Sequence, residues 1–225
     1  MRIRSVPPWL IVVTLIATAA FIALTVIVTT NSSLAFDSRA FAIASDLRAP
    51  WVTTLAHVVT TLGLIAVVGP AGLLVAAVLI ALKHRPRAAA LVAGGALAWV
   101  TVWITKSLVD RPRPSRPLVH TTGQSYPSAH AANSVGWLAL AIALSVIIPA
   151  RGARIAVIVA GALVALFVGL SRVYLRAHFA SDVLAGYALA VAMYSIAAIV
   201  MIARPHAAQL RTVEPDDTRL RRASL

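Results

Sequence analysis

The chain has 225 residues, 60% of them hydrophobic, no cysteine and a formal net charge of +13. Its mean hydropathy is +0.88. A soluble domain is nearer about 45–50% apolar, so this much Ala, Val, Leu and Ile has no water-facing surface to occupy and the bilayer is the expected solvent. The composition excludes disulfides, thiolate chemistry and cysteine-ligated metal or iron–sulfur sites.

Met1-Arg2-Ile3-Arg4 precedes an apolar run from Trp9 to Thr30. That run is longer than the core of a secretory signal and long enough to span, so it predicts an uncleaved first helix. Five further segments come near spanning length: Val58–Leu82, Ala88–Thr105, Ala131–Pro149, Ile155–Leu170 and Val183–Ala203. The fifth span is short and continues through Ser171 into the following turn. The expected fold is all-α, an integral membrane bundle of six transmembrane helices over residues 1–203. Gly69-Pro70 predicts a kink inside the second span.

Between the first two spans, Asn31–His57 is moderately polar, with Asp37, Arg39, Asp46 and Arg48 nearly balancing. Phe36, Phe41, Leu47, Trp51 and Leu55 loosely mark one apolar face, and a short interfacial helix or an ordinary loop fits equally. The polar segment 204–225 is expected to be a disordered cytoplasmic tail.

With the N-terminus in the cytoplasm, twelve Lys and Arg fall inside and eight outside. Basic residues between apolar runs orient a membrane protein and attract anionic lipid, so nucleic acid is not an expected partner. The outside group is concentrated in the loops after the third and fifth spans, and those loops need a reason to be basic.

Three stretches supply one. Lys106, Arg113 and Pro114 lie at the outer end of the third span; Tyr126-Pro127-Ser128-Ala129-His130 opens the fourth; Ser171-Arg172, His178 and Asp182 lie between the fifth and sixth. Six spans place all three on one side of the membrane. Lys106, Arg113 and Arg172 would hold a phosphate or pyrophosphate. Ser128 would add a hydroxyl, and Pro127 in a first helical turn would leave the amide of Ala129 facing the anion. His178 and Asp182, four residues apart, would share a helical face, with the carboxylate fixing the imidazole's tautomer for attack on phosphorus. His130 would protonate the leaving oxygen and later activate water.

These residues resemble the type 2 phosphatidic acid phosphatase superfamily, whose signature runs K-x6-RP, PSGH and SR-x5-H-x3-D. Lys106 with Arg113-Pro114, Pro127-Ser128-Ala129-His130, and Ser171-Arg172 with His178 and Asp182 match it in order. The resemblance implies His178 as nucleophile with Asp182 as its partner and His130 as general acid. Lys106, Arg113, Ser128 and Arg172 would bind phosphate, with no cofactor and no metal. Its membrane members act on phosphate or pyrophosphate esters of lipids. The substrate class therefore spans polyprenyl pyrophosphates, phosphatidic acid and phosphatidylglycerol phosphate. The one departure is Ala129 where the pattern has Gly, which matters if that position needs a positive φ. Outside the signature, Arg111, Arg116 and Arg176 are read as lipid headgroup contacts and Asp110 as an offset to their charge. His120 is the best candidate beyond the motif for touching substrate. Gly161, Gly169 and Gly186 are expected to serve close helix packing.

The expected protein is an integral protein of a bacterial plasma membrane, with both termini cytoplasmic and its site extracytoplasmic. A lipid phosphotransferase using the same residues, and a non-enzymatic transporter, are the rival readings. Oligomeric state is left open.

Overall fold

The computed structural model describes residues 6–31 and 34–203. The Met1–Arg4 cluster and the tail 204–225 lie outside the described residues. Eight helices are described: α1 (Pro8–Thr30), α2 (Ala35–Asp46), α3 (Pro50–Thr61), α4 (Ile65–Ala81), α5 (Arg85–Val109), α6 (Ala129–Leu144), α7 (Arg151–Tyr174) and α8 (Ala180–Ala203). No strand occurs among the described residues.

Helices α1, α5, α7 and α8, and α6 with the 3-10 turn Ser145–Ile147 that follows it, are each long and apolar enough to cross a membrane. The pair α3–α4 qualifies as a sixth, broken span bent by 47°. The chain is thus an all-α membrane bundle, as its hydropathy implies. Proline at the first turn starts α1, α3 and α5, where its missing N–H costs nothing. The fifth span extends as expected beyond Ser171, to Tyr174.

The second span differs from expectation. Helix α4 runs through Pro70 without interruption, and the bend lies at residues 62–64. Gly63 explains the position. A Cβ there would come within 2.7 Å of Val168 Cγ1 and 2.9 Å of the His130 carbonyl oxygen. The carbonyls freed by the break must find donors, because lipid offers none. Trp137 Nε1 donates to Leu62 O at 2.8 Å and Asn133 Nδ2 to Gly63 O at 3.1 Å. Both donors belong to α6, so the break is stitched to that helix.

Between the first span and His57, residues 35–46 form α2 and residues 50–57 the first part of α3, so this stretch is not an ordinary loop. Helix α2 turns Phe36 and Ile43 outward, buries Asp37 and Ala44, and packs against α7 and α8.

Packing inside the bundle relies on small side chains, since lipid tails are as apolar as leucine and only close approach favours association. Ala98 and Val102 of α5, Ala132 and Val135 of α6, and Leu189 and Ala190 of α8 form one buried cluster. At Gly186 of α8 a Cβ would sit 2.5 Å from the carbonyl oxygen of Ser128. That contact brings the starts of α6 and α8 together, and the Ser128 N–H donates to Asp182 O at 3.0 Å.

Candidate active site

Antiparallel packing gathers the C-terminal ends of α5 and α7 and the N-terminal ends of α6 and α8 at one end of the bundle. All eight site residues expected from the sequence lie there, on these ends or on the two loops between them.

His178 is 2% exposed. It occupies the turn between α7 and α8, so it does not share a helix with Asp182 as its spacing suggests. Its Nδ1 lies 2.8 Å from Ser125 O, and its Nε2 lies 3.2 Å from Arg113 Nη1. A carbonyl oxygen only accepts and a guanidinium only donates. One tautomer satisfies both contacts: the proton sits on Nδ1, and the Nε2 lone pair faces Arg113. Burial pushes the imidazole down to about 4; the charges of Arg172 and Arg113 act in the same direction, and Asp182 opposes them. His178 is therefore neutral at neutral pH.

Asp182 is not the nearest partner of His178. Its Oδ2 lies 3.5 Å from Nδ1, farther than the Ser125 carbonyl. Oδ2 accepts from the Phe179 N–H at 3.0 Å, closing the first turn of α8 as the acidic half of a capping box. Oδ1 accepts from Arg111 Nη1.

Arg113 and Arg172 lie within Coulomb range of the histidine, and Lys106 lies within range of both arginines. Lys106 Nζ donates to Gln124 O at 2.7 Å. Arg113 is fixed by the carbonyls of Thr122, Gly123 and Ala177. Arg172, only 4% exposed, donates from Nη1 to Thr60 Oγ1 at 2.8 Å. Its Nε is buried without an acceptor among the described residues. A buried donor left unpaired is costly, and a ligand oxygen would relieve it.

Ser128 is the N-cap of α6, its Oγ accepting from the Ala131 N–H at 3.4 Å, and it is fully buried. Pro127 precedes the cap and does not enter the first turn. Ala129 is the first helical residue and is absent from the positive-φ positions of the described chain. Its methyl group therefore meets no backbone strain. First-turn amides have no acceptor within their own helix, which leaves those of Ala129 and His130 available to an anion. His130 is half-buried, its ring makes no hydrogen bond among the described residues, and it lies within Coulomb range of Arg172, His178, Arg113 and Lys106.

Two groups outside the expected set complete the site. Arg111 is not a headgroup contact: it is 8% exposed, and it bridges Asp182 to Asp37 of α2. Arg176 lies over the Phe41 ring at 4.7 Å and donates to Ser115 O. Asp110 ends α5 in the left-handed region at φ 47. His120 is exposed on the α5–α6 loop. Among the described residues no group of three His, Asp or Glu is placed to hold a metal ion.

The model of one protein family, the PAP2 superfamily, matches residues 87–205, more than half of the chain. The chain belongs to the PAP2 superfamily. Every motif residue of this PAP2 chain lies inside the matched region, while Asp37 and Thr60 lie outside it. Over 95 residues the chain is 36% identical to phosphatidylglycerophosphatase B of Bacillus subtilis (strain 168). That match covers 40% of this chain and 46% of the relative, so it spans less than half of the relative's length. The fold is similar to the crystal structure of a transmembrane PAP2 type phosphatidylglycerolphosphate phosphatase from Bacillus subtilis. The TM-score is 0.75 at 24% identity, over 82% of this chain and 93% of the other. Aquifex aeolicus LpxE aligns with a TM-score of 0.60 at 21% identity, over 74% and 96% of the two chains.

Proposed function

We propose that this PAP2 chain is a lipid phosphatase that hydrolyses a lipid phosphate monoester or pyrophosphate through a phosphohistidine on His178, with its pocket on the extracytoplasmic side. The observation that carries this reading is the state of His178: buried, neutral, with Nδ1–H held by Ser125 O and the Nε2 lone pair turned toward Arg113, with Arg172 within Coulomb range. Such a group is a nucleophile for an anionic centre, not a metal-like charge or a packing residue.

The charge balance supports a phosphate dianion. Lys106, Arg111, Arg113 and Arg172 face Asp37 and Asp182, which leaves the pocket two positive charges. The orphaned Nε of Arg172 and the open amides of Ala129 and His130 are donors for its oxygens. In the first step Nε2 attacks the terminal phosphorus and the bond to the leaving oxygen breaks, that of the lipid alcohol for a monoester or of the lipid monophosphate for a pyrophosphate; His130, protonated once the substrate's negative charge occupies the pocket, donates to that oxygen. In the second, His130 takes a proton from water, the hydroxide attacks phosphorus, and the P–N bond breaks to release orthophosphate. An apolar cleft of about 300 Å³ between α4, α5 and α6 begins at Ala132 and Asn133, just below His130, and fits a lipid tail. The match to phosphatidylglycerophosphatase B makes phosphatidylglycerol phosphate the first lipid to assay.

The test is phosphate release in detergent from phosphatidylglycerol phosphate, phosphatidic acid and undecaprenyl pyrophosphate, with EDTA present, comparing wild type with His178→Ala. Wild type is expected to release orthophosphate from at least one lipid, and the variant to fall to background. Loss of wild-type activity in EDTA overturns the metal-free route. Transfer of label to a second lipid with little free phosphate overturns hydrolysis in favour of phosphotransfer.

A further inference from the structure

We infer that Asp37, supplied by α2 from outside the region the family model matches, is a positioning residue that acts on the nucleophile through Arg111 and Asp182. The inference rests on the proposed phosphatase reading and adds a residue that no motif contains.

Asp37 is 3% exposed, and a lone carboxylate buried that deeply is expensive unless fully paired. It is fully paired, and every partner belongs to the site. Oδ1 accepts from the Ser181 N–H at 2.8 Å. Oδ2 accepts from Ser181 Oγ at 2.7 Å and from Arg111 Nη2 at 3.0 Å. Arg111 Nη1 in turn donates to Ser181 Oγ at 2.8 Å and to Asp182 Oδ1. The Arg111 guanidinium also lies 4.0 Å over the Phe179 ring, and Phe179 packs on Phe41, a second residue of α2. The start of α8 is thereby pinned to α2 at Phe179, Ser181 and Asp182, beginning one residue after His178.

The electrostatic consequence is specific. Arg111 has two carboxylates to serve. With Asp37 present its charge is divided, and Asp182 keeps an oxygen free to cap Phe179 and to approach His178 Nδ1 at 3.5 Å. With Asp37 neutral, Arg111 turns wholly to Asp182, and the pocket gains one positive charge. The ground-state anion is then held more tightly while the histidine loses its orientation. Uniformly tighter binding with weaker chemistry is a signature that simple loosening of the fold does not produce.

The experiment uses the full chain in detergent and the lipid that wild type hydrolyses. Asp37→Asn keeps the size of the side chain and removes its charge. We expect kcat to fall about 10–100-fold while KM and the inhibition constant for inorganic phosphate stay level or fall. In an Arg111→Gln background, where the divided charge no longer exists, the same Asp37 change is expected to cost less than about threefold, the non-additivity that marks a shared network. Ser181→Ala, which removes the hydroxyl bridging Arg111 and Asp37 without altering charge, carries the test if Asp37→Asn fails to fold; its kcat is expected to fall about 3–10-fold with KM unchanged. Equal losses from Asp37→Asn in both backgrounds, or a raised KM with unchanged kcat, overturn the proposal. The function reading fails separately: wild type would then be inactive on every lipid, or His178→Ala would remain active. In that case the network is read by thermal shift with inorganic phosphate, where Asp37→Asn is expected to increase the shift and a decreased or unchanged shift overturns the proposal.

Discussion

The nucleophilic role proposed for His178 requires an unprotonated imidazole, and burial beside Arg172 and Arg113 favours that state. An imidazole whose pKa is pushed from about 6.5 down to about 4 stays neutral as the medium is acidified through the ordinary histidine range. Once the substrate's own phosphate titration, followed by phosphorus NMR, is divided out, kcat/KM is expected to hold through pH 6.5. It should then decline with a midpoint near 4. A midpoint at or above 6.5 contradicts the buried neutral nucleophile. At this scale the sequence was most informative for groups whose chemistry demands a fixed spacing: Lys106, Arg113, His130, Arg172, His178 and Asp182. Arg111 and Asp37 escaped because nothing local marks them. An arginine in Arg-Pro-Arg-Pro reads as another surface cation, and its two partners lie 71 and 74 residues away. The same blindness hid Ser125, whose backbone carbonyl, not its side chain, orients the histidine.

Among the elements, the α3–α4 break is the clearest case of tertiary structure overriding a local signal. Pro70 carries the breaker residue, yet the chain bends at Gly63, where α6 and α7 leave no room for a side chain and offer donors for the freed carbonyls. Gly63→Ala is therefore expected to lower stability by about 1–3 kcal/mol through overpacking. It should also reduce kcat by displacing the His130 backbone. Gly72→Ala is the matched control: a Cβ there would meet nothing within 4 Å, and helix propensity favours Ala by about 0.5–1 kcal/mol. Thermal unfolding in detergent, with kcat measured in parallel, checks both. If Gly63→Ala melts with wild type and turns over normally, the break does not depend on close approach. Hydropathy located the five unbroken spans and most of the bent α3–α4 pair, because a bilayer imposes its thickness on any helix that crosses it. It could not show α2 folding inward, since a short amphipathic segment satisfies a membrane surface and a protein surface equally.

For the whole molecule, the arrangement of helix ends makes the site a property of topology: four ends meet only because the spans alternate in direction. The side of the membrane they face is open to a direct measurement, since a chain without cysteine accepts single labels cleanly. Ser115→Cys lies on the exposed loop beside the site, and Gly152→Cys lies at the opposite end of the bundle with nothing within 4 Å. A membrane-impermeant maleimide is expected to label the first in intact cells and the second only after permeabilisation. The reverse pattern places the pocket in the cytoplasm.

The hydrogen bond from Arg113 to His178 Nε2 has a chemical consequence of its own. In the proposed mechanism the attacking electron pair is sheathed at rest by the guanidinium that would receive the substrate. Only a visitor whose oxygens outcompete an imidazole for that guanidinium can draw it aside. Neutral electrophiles and uncharged phosphotriesters lack the means, so under the proposed mechanism selection for anions precedes any bond.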